Sequence, residues 1–185
     1  MYEGNNPTAQ RSQQWITQAL LQMMQEKKYS GISVRDLCRR ADLSRQTFYN
    51  LYSSKEDVLH AYLQSEVAAA YRTVTDRQEK EGSFGPEDMV DAFAKVLEDN
   101  RALLGVMIDQ GLGSIISDEI TNAVTLFAGR FARDTDPAEL EYSVAFLSGG
   151  LARIMLCWAG QETPIPRARL THILEKALRG ELYRF

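Results

Sequence analysis

Apolar positions recur at steps of three and four residues along most of the chain, and alternating runs of the kind that mark strands are few, so the pattern predicts an all-α protein. Between residues 32 and 58 the helical pieces become short. Val34, Leu37, Cys38 and Ala41 give one short helix a single apolar face. Asp42 and Leu43 make a turn, and a second helix from Arg45 to about Leu51 turns Phe48 and Tyr52 inward. Ser53 and Ser54 break that run, and a long helix follows through Val58 and Tyr62 to about Lys80. Each start carries a cap: Ser33 with Asp36 three residues on, Ser44, and Ser54 with Asp57. Two short helices meeting at a tight turn form a helix-turn-helix.

The remaining pattern predicts further helices. After the EGSFGP stretch, Glu87 to about Asn100 carries Met89, Val90, Phe93, Val96 and Leu97 on one side. Arg101 to about Gln110 ends at Gly111 and Gly113, and Ser117 or Asp118 starts the next helix, with Ile120, Val124, Phe127 and Phe131. From Pro137 to about Ala159, Leu140, Val144, Leu147, Leu151, Ile154 and Trp158 form one apolar line. Tyr142, Phe146, Gly149, Gly150 and Cys157 add a second side. A helix apolar on two sides must be covered on two sides. Together with Leu170, Ile173 and Leu174 of a last helix from Arg167 to about Arg179, the line is expected to build a four-helix dimer interface. The alternative is a central helix in a monomer core. The expected organisation is a disordered leader at 1–10, a three-helix helix-turn-helix domain at 11–56, and a second helical domain at 57–185.

Composition narrows the function. The 185 residues are 44% hydrophobic and 25% charged, ordinary values for a soluble globular protein. No uninterrupted apolar run approaches the roughly 20 residues of a membrane span, and no signal peptide opens the chain, so no membrane partner is expected. Cys38 and Cys157 lack metal-ligand spacing, which favours a reduced, cytoplasmic protein, with a redox sensor as the alternative. The net charge of −4 conceals a split. Residues 1–55 carry eight Lys and Arg against four Asp and Glu, a net of +4, and the remainder carries thirteen against twenty-one, a net of −8. A basic end on an acidic body favours one orientation of approach to a polyanion. For catalysis there is no defensible Ser/His/Asp order, no phosphate-binding glycine loop and no metal cluster, and His60 and His172 stand alone. No enzyme, cofactor or metal site is expected. The outer side of the second short helix, with Arg45, Gln46, Thr47, Tyr49 and Asn50, suits a DNA groove instead. Gln pairs bidentately with adenine and Arg with guanine, while Thr and Tyr hydroxyls suit phosphate oxygens. The competing reading is a solvated helical hairpin.

The stretch from about Trp15 to Leu63 resembles the N-terminal domain of TetR/AcrR-family transcription regulators. The resemblance rests on Ile16, Ala19, Leu20, Tyr29, Ile32, Ser33, Val34, Asp36, Leu37, Ala41, Leu43, Ser44, Thr47, Phe48, Tyr49, Tyr52, Lys55, Glu56 and Val58. It implies that Arg45, Gln46 and Thr47 face base edges or nearby phosphates, that Tyr49 and Lys55 hold the backbone, and that Ser33 adds a phosphate contact. Ser44 and Asn50 complete the expected DNA-binding set. Asp42 departs from the usual turn Gly, Cys38 from Ala, and Leu51 from a common His. For residues 57–185 the resemblance implies homodimerisation and a small-molecule site whose occupancy changes the spacing of two DNA heads, which must lie roughly 34–36 Å apart to enter successive major grooves. The expected pocket lining is Met89, Phe93, Met107, Phe127, Phe131, Tyr142, Phe146 and Arg153. The FLSGGLARIMLCWAG segment is similar to a subgroup in which some members are linked to dihydroxyacetone kinase operons, a pattern that by itself assigns no ligand. The expected function is a ligand-responsive dimeric repressor on a palindromic operator in double-stranded DNA; the alternative is a TetR-like coactivator acting through a protein partner.

Overall fold

The computed structural model describes residues 6–81, 86–131 and 136–181. Among them are the helices α1 (Pro7–Glu26), α2 (Val34–Arg40), α3 (Arg45–Leu51), α4 (Lys55–Glu81), α5 (Pro86–Asp99), α6 (Arg101–Asp109), α7 (Gly113–Phe131), α8 (Pro137–Ala159) and α9 (Arg167–Leu178), with a 3-10 turn at Tyr29–Gly31 and no strand. The chain divides between Gln64 and Ser65 into two compact units. The helix α4 runs through that division, eight residues later than the boundary expected at 56.

The leader expectation fails over residues 7–10, which are helical. Pro7 opens α1 with its backbone angle already set for a helix, and Asn6 caps it by accepting from the Thr8 N–H. Residues 1–5 lie outside the described residues. Helix α1 buries Ile16, Ala19, Leu20, Met23 and Met24 and packs against α2 and α3. Ile16, Leu20, Leu37, Phe48, Val58 and Leu59 are fully buried at the centre of this unit. Each such side chain contributes roughly 1.5–3 kcal/mol of transfer free energy.

The α2–α3 turn follows from a hydrogen-bond pattern. The Leu43 N–H donates to the Cys38 carbonyl at 2.9 Å, and the Asp42 N–H to Arg39 at 3.4 Å. This is a Schellman end, which puts the residue after the cap in the left-handed region. Glycine occupies that place at the ends of α6 (Gly111, φ +77°) and α9 (Gly180, φ +71°). Asp42 holds it here with φ +54°, the single non-glycine residue of positive φ among the described residues.

In the second unit α7 packs along α8, α5 against α9, and α6 against α8. Leu97, Met107, Leu170 and Leu174 are fully buried. Arg167 ties the start of α9 to α5 through Asp91 and, at 3.0 Å, Glu98. Trp158 donates its indole N–H to the Ile165 carbonyl at 2.8 Å, closing the α8–α9 connection. Buried Asn100 donates to Glu66 at 3.0 Å and to the Val96 carbonyl at 2.9 Å. Helix α7 starts at Gly113, four residues earlier than the pattern suggested. Gly111 alone makes the break, and its Schellman end (Leu112 N–H to the Met107 carbonyl, 2.8 Å) lets the next helix begin at once.

Helix α8 matches its expected span, but its faces are redistributed. Ser148, Ala152, Met155, Trp158 and Ala159 are its buried side. Leu140, Val144, Leu147, Leu151 and Ile154, expected at the dimer interface, lie half-buried along one flank, and Ile173 of α9 is half-buried as well. Trp158, Leu170 and Leu174 are buried within the protomer, which removes them from the expected interface. Successive helical residues turn by 100°, so Tyr142, Phe146, Gly149, Gly150, Arg153 and Cys157 fall opposite the buried side. All six are exposed, Tyr142 at 76% and Phe146 at 81%. Tyr142, Phe146 and Arg153 therefore do not line a cavity as expected. Arg153 needs no buried counter-charge because it stands in solvent. Of the other expected pocket residues, Met107 and Phe127 are buried, Phe127 against Tyr71 with ring centroids 5.0 Å apart. Met89 and Phe93 are half-buried, and the Phe131 side chain lies outside the described residues. Helix α8 also has the length and mean hydropathy (1.3 over its most apolar stretch) of a membrane span. The sequence shows no uninterrupted apolar run here because Arg153 breaks it, yet one arginine does not lower the average of that stretch far.

Candidate nucleic-acid interface

Two short helices place the candidate residues, and both begin on a serine. The Ser33 hydroxyl oxygen accepts from the Asp36 N–H at 3.1 Å, which caps α2, while the hydroxyl itself donates to the Asp36 carboxylate at 2.7 Å. Ser44 caps α3 by accepting from the Thr47 N–H at 3.0 Å, and the two hydroxyls share a bond of 2.9 Å. At the start of α4, the Asp57 carboxylate accepts from the N–H groups of Ser53 and Ser54, and the Ser54 hydroxyl caps the Asp57 N–H in return.

Helix α3 then separates packing from display. Phe48 and Leu51 are buried, with Tyr52 just beyond. Burial pushes the Tyr52 phenol above its ordinary range, and a hydrogen bond with Thr17 partly offsets this. Ser44, Arg45, Gln46, Tyr49 and Asn50 are exposed, and Thr47 is half-buried. The Arg45 guanidinium lies 5.8 Å from the centre of the Tyr49 ring, and Tyr49 stands edge-on to Phe48 at 5.4 Å. Gln46 donates from its side-chain amide to the Asn50 side-chain carbonyl at 2.9 Å. The displayed face thus offers one cation, two carboxamides and hydroxyls within one and a half turns.

Lys55 does not fit the expected role. Its ammonium donates to the carbonyls of Tyr29 at 2.7 Å and Ile32 at 2.9 Å, and sits 3.9 Å from the centre of the Tyr29 ring. An ammonium has three N–H bonds, and these three partners take them all. Burial pulls the Lys55 pKa below its ordinary value. The residue pins the segment leading into α2 instead of presenting a donor to a phosphate. Burial, with the Glu56 carboxylate as a further cause, pushes the Tyr29 phenol far above the usual range.

The positive charge read from the sequence is partly spent inside this unit. Arg40 makes a two-pronged bridge to Glu26 at 2.8 and 2.5 Å, and Asp36 draws Arg39 at 2.9 Å and Lys27 at 3.8 Å. The Ser33 hydroxyl, then these cations, hold the Asp36 carboxyl below the usual carboxylate range. Arg35 was missed by sequence reasoning. It stands exposed in the first turn of α2, next to Ser33, and carries no ion pair among the described residues. The signal that could have found it is its place two residues after a capping serine, in the first turn where backbone N–H groups also gather.

Residues 16–62 match the family of bacterial regulatory proteins described as tetR. Over 57 residues, 31% of this chain, the sequence is 35% identical to the dhaKLM operon transcriptional activator DhaS of Lactococcus lactis. The aligned part spans less than a third of the curated relatives it matches, 30% in the case of DhaS. Among solved structures, Lin0861 from Listeria innocua has a TM-score of 0.70 at 16% identity, covering 97% of this chain and 96% of its own. Thermus thermophilus FadR, described as a TetR-family repressor in complex with lauroyl-CoA, has a TM-score of 0.59 at 21% identity, with 94% and 96% covered.

Proposed function

We propose, from the match of residues 16–62 to the tetR family of bacterial regulatory proteins, that the protein is a cytoplasmic, dimeric transcriptional repressor of that family that binds a palindromic operator and is released by a small-molecule effector. The observation that carries the reading is the division within α3. Phe48 and Leu51 secure the helix, while Arg45, Gln46, Tyr49 and Asn50 project to solvent as a set able to contact base edges and phosphates. Serine hydroxyls at 33 and 44, with Arg35, flank that face and suit phosphate oxygens.

A second copy is the partner that the exposed side of α8 suits. Tyr142 and Phe146 carry large apolar area, and Gly149 with Gly150 leave room for close approach. This moves the interface from the flank residues to the opposite side of the helix. An effector site belongs in the second unit, beside Met89 and Phe93 and against the Met107 and Phe127 core. FadR supports the idea that a protein of this fold takes a large acyl ligand, and DhaS and FadR carry opposite regulatory labels, activator and repressor. Occupancy would weaken DNA binding by the difference between its affinities for two head spacings.

The test is selection from a random double-stranded DNA library by the purified chain near physiological salt. Enrichment of an inverted repeat with half-sites about one turn apart supports a self-sufficient dimeric regulator. No enriched sequence from folded, dimeric protein overturns it in favour of a coactivator that needs a protein partner.

A further inference from the structure

Gln46 and Asn50 stand one turn apart on the exposed side of α3, joined by a hydrogen bond of 2.9 Å from the Gln46 amide nitrogen to the Asn50 side-chain oxygen. Both side chains are exposed, and Phe48 and Leu51 hold the helix without them. On the reading that α3 enters the major groove, we propose that Gln46 and Asn50 act as one unit that reads adenine, with Gln46 touching the base and Asn50 positioning Gln46.

The chemistry follows from counting donors and acceptors. A carboxamide has two N–H bonds and one carbonyl oxygen. The hydrogen bond to Asn50 occupies one N–H of Gln46. The other N–H and the carbonyl remain side by side on one edge. That edge is the complement of adenine in the major groove: the carbonyl accepts from the N6 amino group and the N–H donates to N7. An unsupported Gln has three rotatable bonds and spends much of its freedom elsewhere, so an anchor on its amide nitrogen pre-orients the reading edge. The neighbouring groups cannot replace Asn50 as the anchor. Ser44, Arg45 and Thr47 lie only one or two positions from Gln46 and so do not face it on the helix, whereas Asn50, four residues on, does. Arg45 offers only donors in any case, and a Gln N–H needs an acceptor.

Asn50 acts here through its oxygen, which gives the inference a discriminating variant. Asn50→Asp keeps an acceptor at the same distance, while Asn50→Ala removes it. Binding-site selection is run on the full chain and on Gln46→Ala, Asn50→Ala and Asn50→Asp, followed by affinities for the selected site and for the same site with its adenine replaced. Melting curves check that each variant folds, as expected for exposed positions. The wild type is expected to prefer adenine at one position per half-site by about tenfold or more, the scale of one bidentate pair. Gln46→Ala and Asn50→Ala are each expected to abolish that preference at the same position, and the double variant to be no worse than Gln46→Ala there. Asn50→Asp is expected to keep the adenine preference while binding all DNA more weakly, because it adds a negative charge. Retained adenine preference in Asn50→Ala overturns the inference. So does loss of preference at a different base pair, which would mean that Asn50 reads DNA directly. A selected site whose Gln46-dependent position is not adenine overturns it as well while leaving the regulator reading standing. Failure of the wild type to select any site overturns both.

Discussion

Replacing Lys55 with Met keeps an unbranched apolar stem as far as Cε and removes the ammonium. Two hydrogen bonds vanish, to the Tyr29 carbonyl at 2.7 Å and the Ile32 carbonyl at 2.9 Å, together with the approach to the Tyr29 ring at 3.9 Å. Hydrogen bonds from charged donors contribute about 1.5–3 kcal/mol each when sheltered, and a half-buried site warrants about half of that. The cation–π contact adds about 1 kcal/mol. Against this, the burial that lowers the Lys55 pKa is a cost that Met does not bear, which trims the loss. The balance is a destabilisation of about 2 kcal/mol. Urea unfolding should show it as a lower midpoint at unchanged slope. In DNA titrations at several salt concentrations, loss of a phosphate contact would flatten the log–log dependence by about 0.9, whereas Lys55→Met should flatten it by much less. A full-unit change in salt slope with undiminished stability would refute the geometry, because it would require the ammonium to sit on a phosphate and not on the two carbonyls.

Asp42→Gly should stabilise the protein by about 0.5–1 kcal/mol in the same urea assay, since glycine takes the positive φ of this turn without strain; a loss of stability would mean that the aspartate side chain holds the turn. Acid should weaken the first unit through its caps. Asp36 is held below its ordinary pKa chiefly by the Ser33 hydroxyl. For Asp57 the largest influence is burial, which raises the pKa, and the backbone and hydroxyl donors of Ser53 and Ser54 outweigh it to leave the carboxyl lowered. A lowered carboxyl contributes stability that is present above its unfolded value near 4 and is lost as the pH falls through the folded value, so midpoints measured from pH 6 downward should decline below about pH 4, and less steeply in Asp57→Asn. Tyr142→Glu with Phe146→Glu should yield folded monomers in sedimentation velocity, while Leu147→Glu with Leu151→Glu, on the half-buried flank, should cost stability first.

The first unit was readable in the sequence because its determinants are local. A capping serine and the acceptor or donor three residues on lie within one turn, so Ser33 with Asp36 and Ser54 with Asp57 declare themselves without tertiary knowledge. The inward pair Phe48 and Tyr52 is equally local, and both are buried. What escaped was contact at a distance in sequence. Lys55 reaches back 26 residues to the Tyr29 carbonyl, and Arg40 reaches 14 to Glu26. Lys55 looked like a cation for DNA, and Arg40 added to the positive count, because nothing in their own neighbourhood names an internal partner. The second unit was harder for another reason. Periodicity says that α8 is apolar on two sides but not which side its own α7 takes. Ser148 and Ala152, small and unremarkable in a hydrophobic pattern, are the residues that admit close packing and are buried. Phe146 is the largest apolar group nearby and stays outside.

The split within α3 has a consequence over evolutionary time. The residues that make the helix exist are Ser44, Thr47, Phe48 and Leu51, and those that face outward are Arg45, Gln46, Tyr49 and Asn50. Substitutions in the outward set change neither the cap nor the core, so most leave stability within about 0.5 kcal/mol. On the proposed function, a gene duplicate exchanges its sequence preference step by step while every intermediate still folds. The same scaffold is then open to redirection toward a new operator by design, with positions 45, 46 and 50 as the variables and the serine caps left alone.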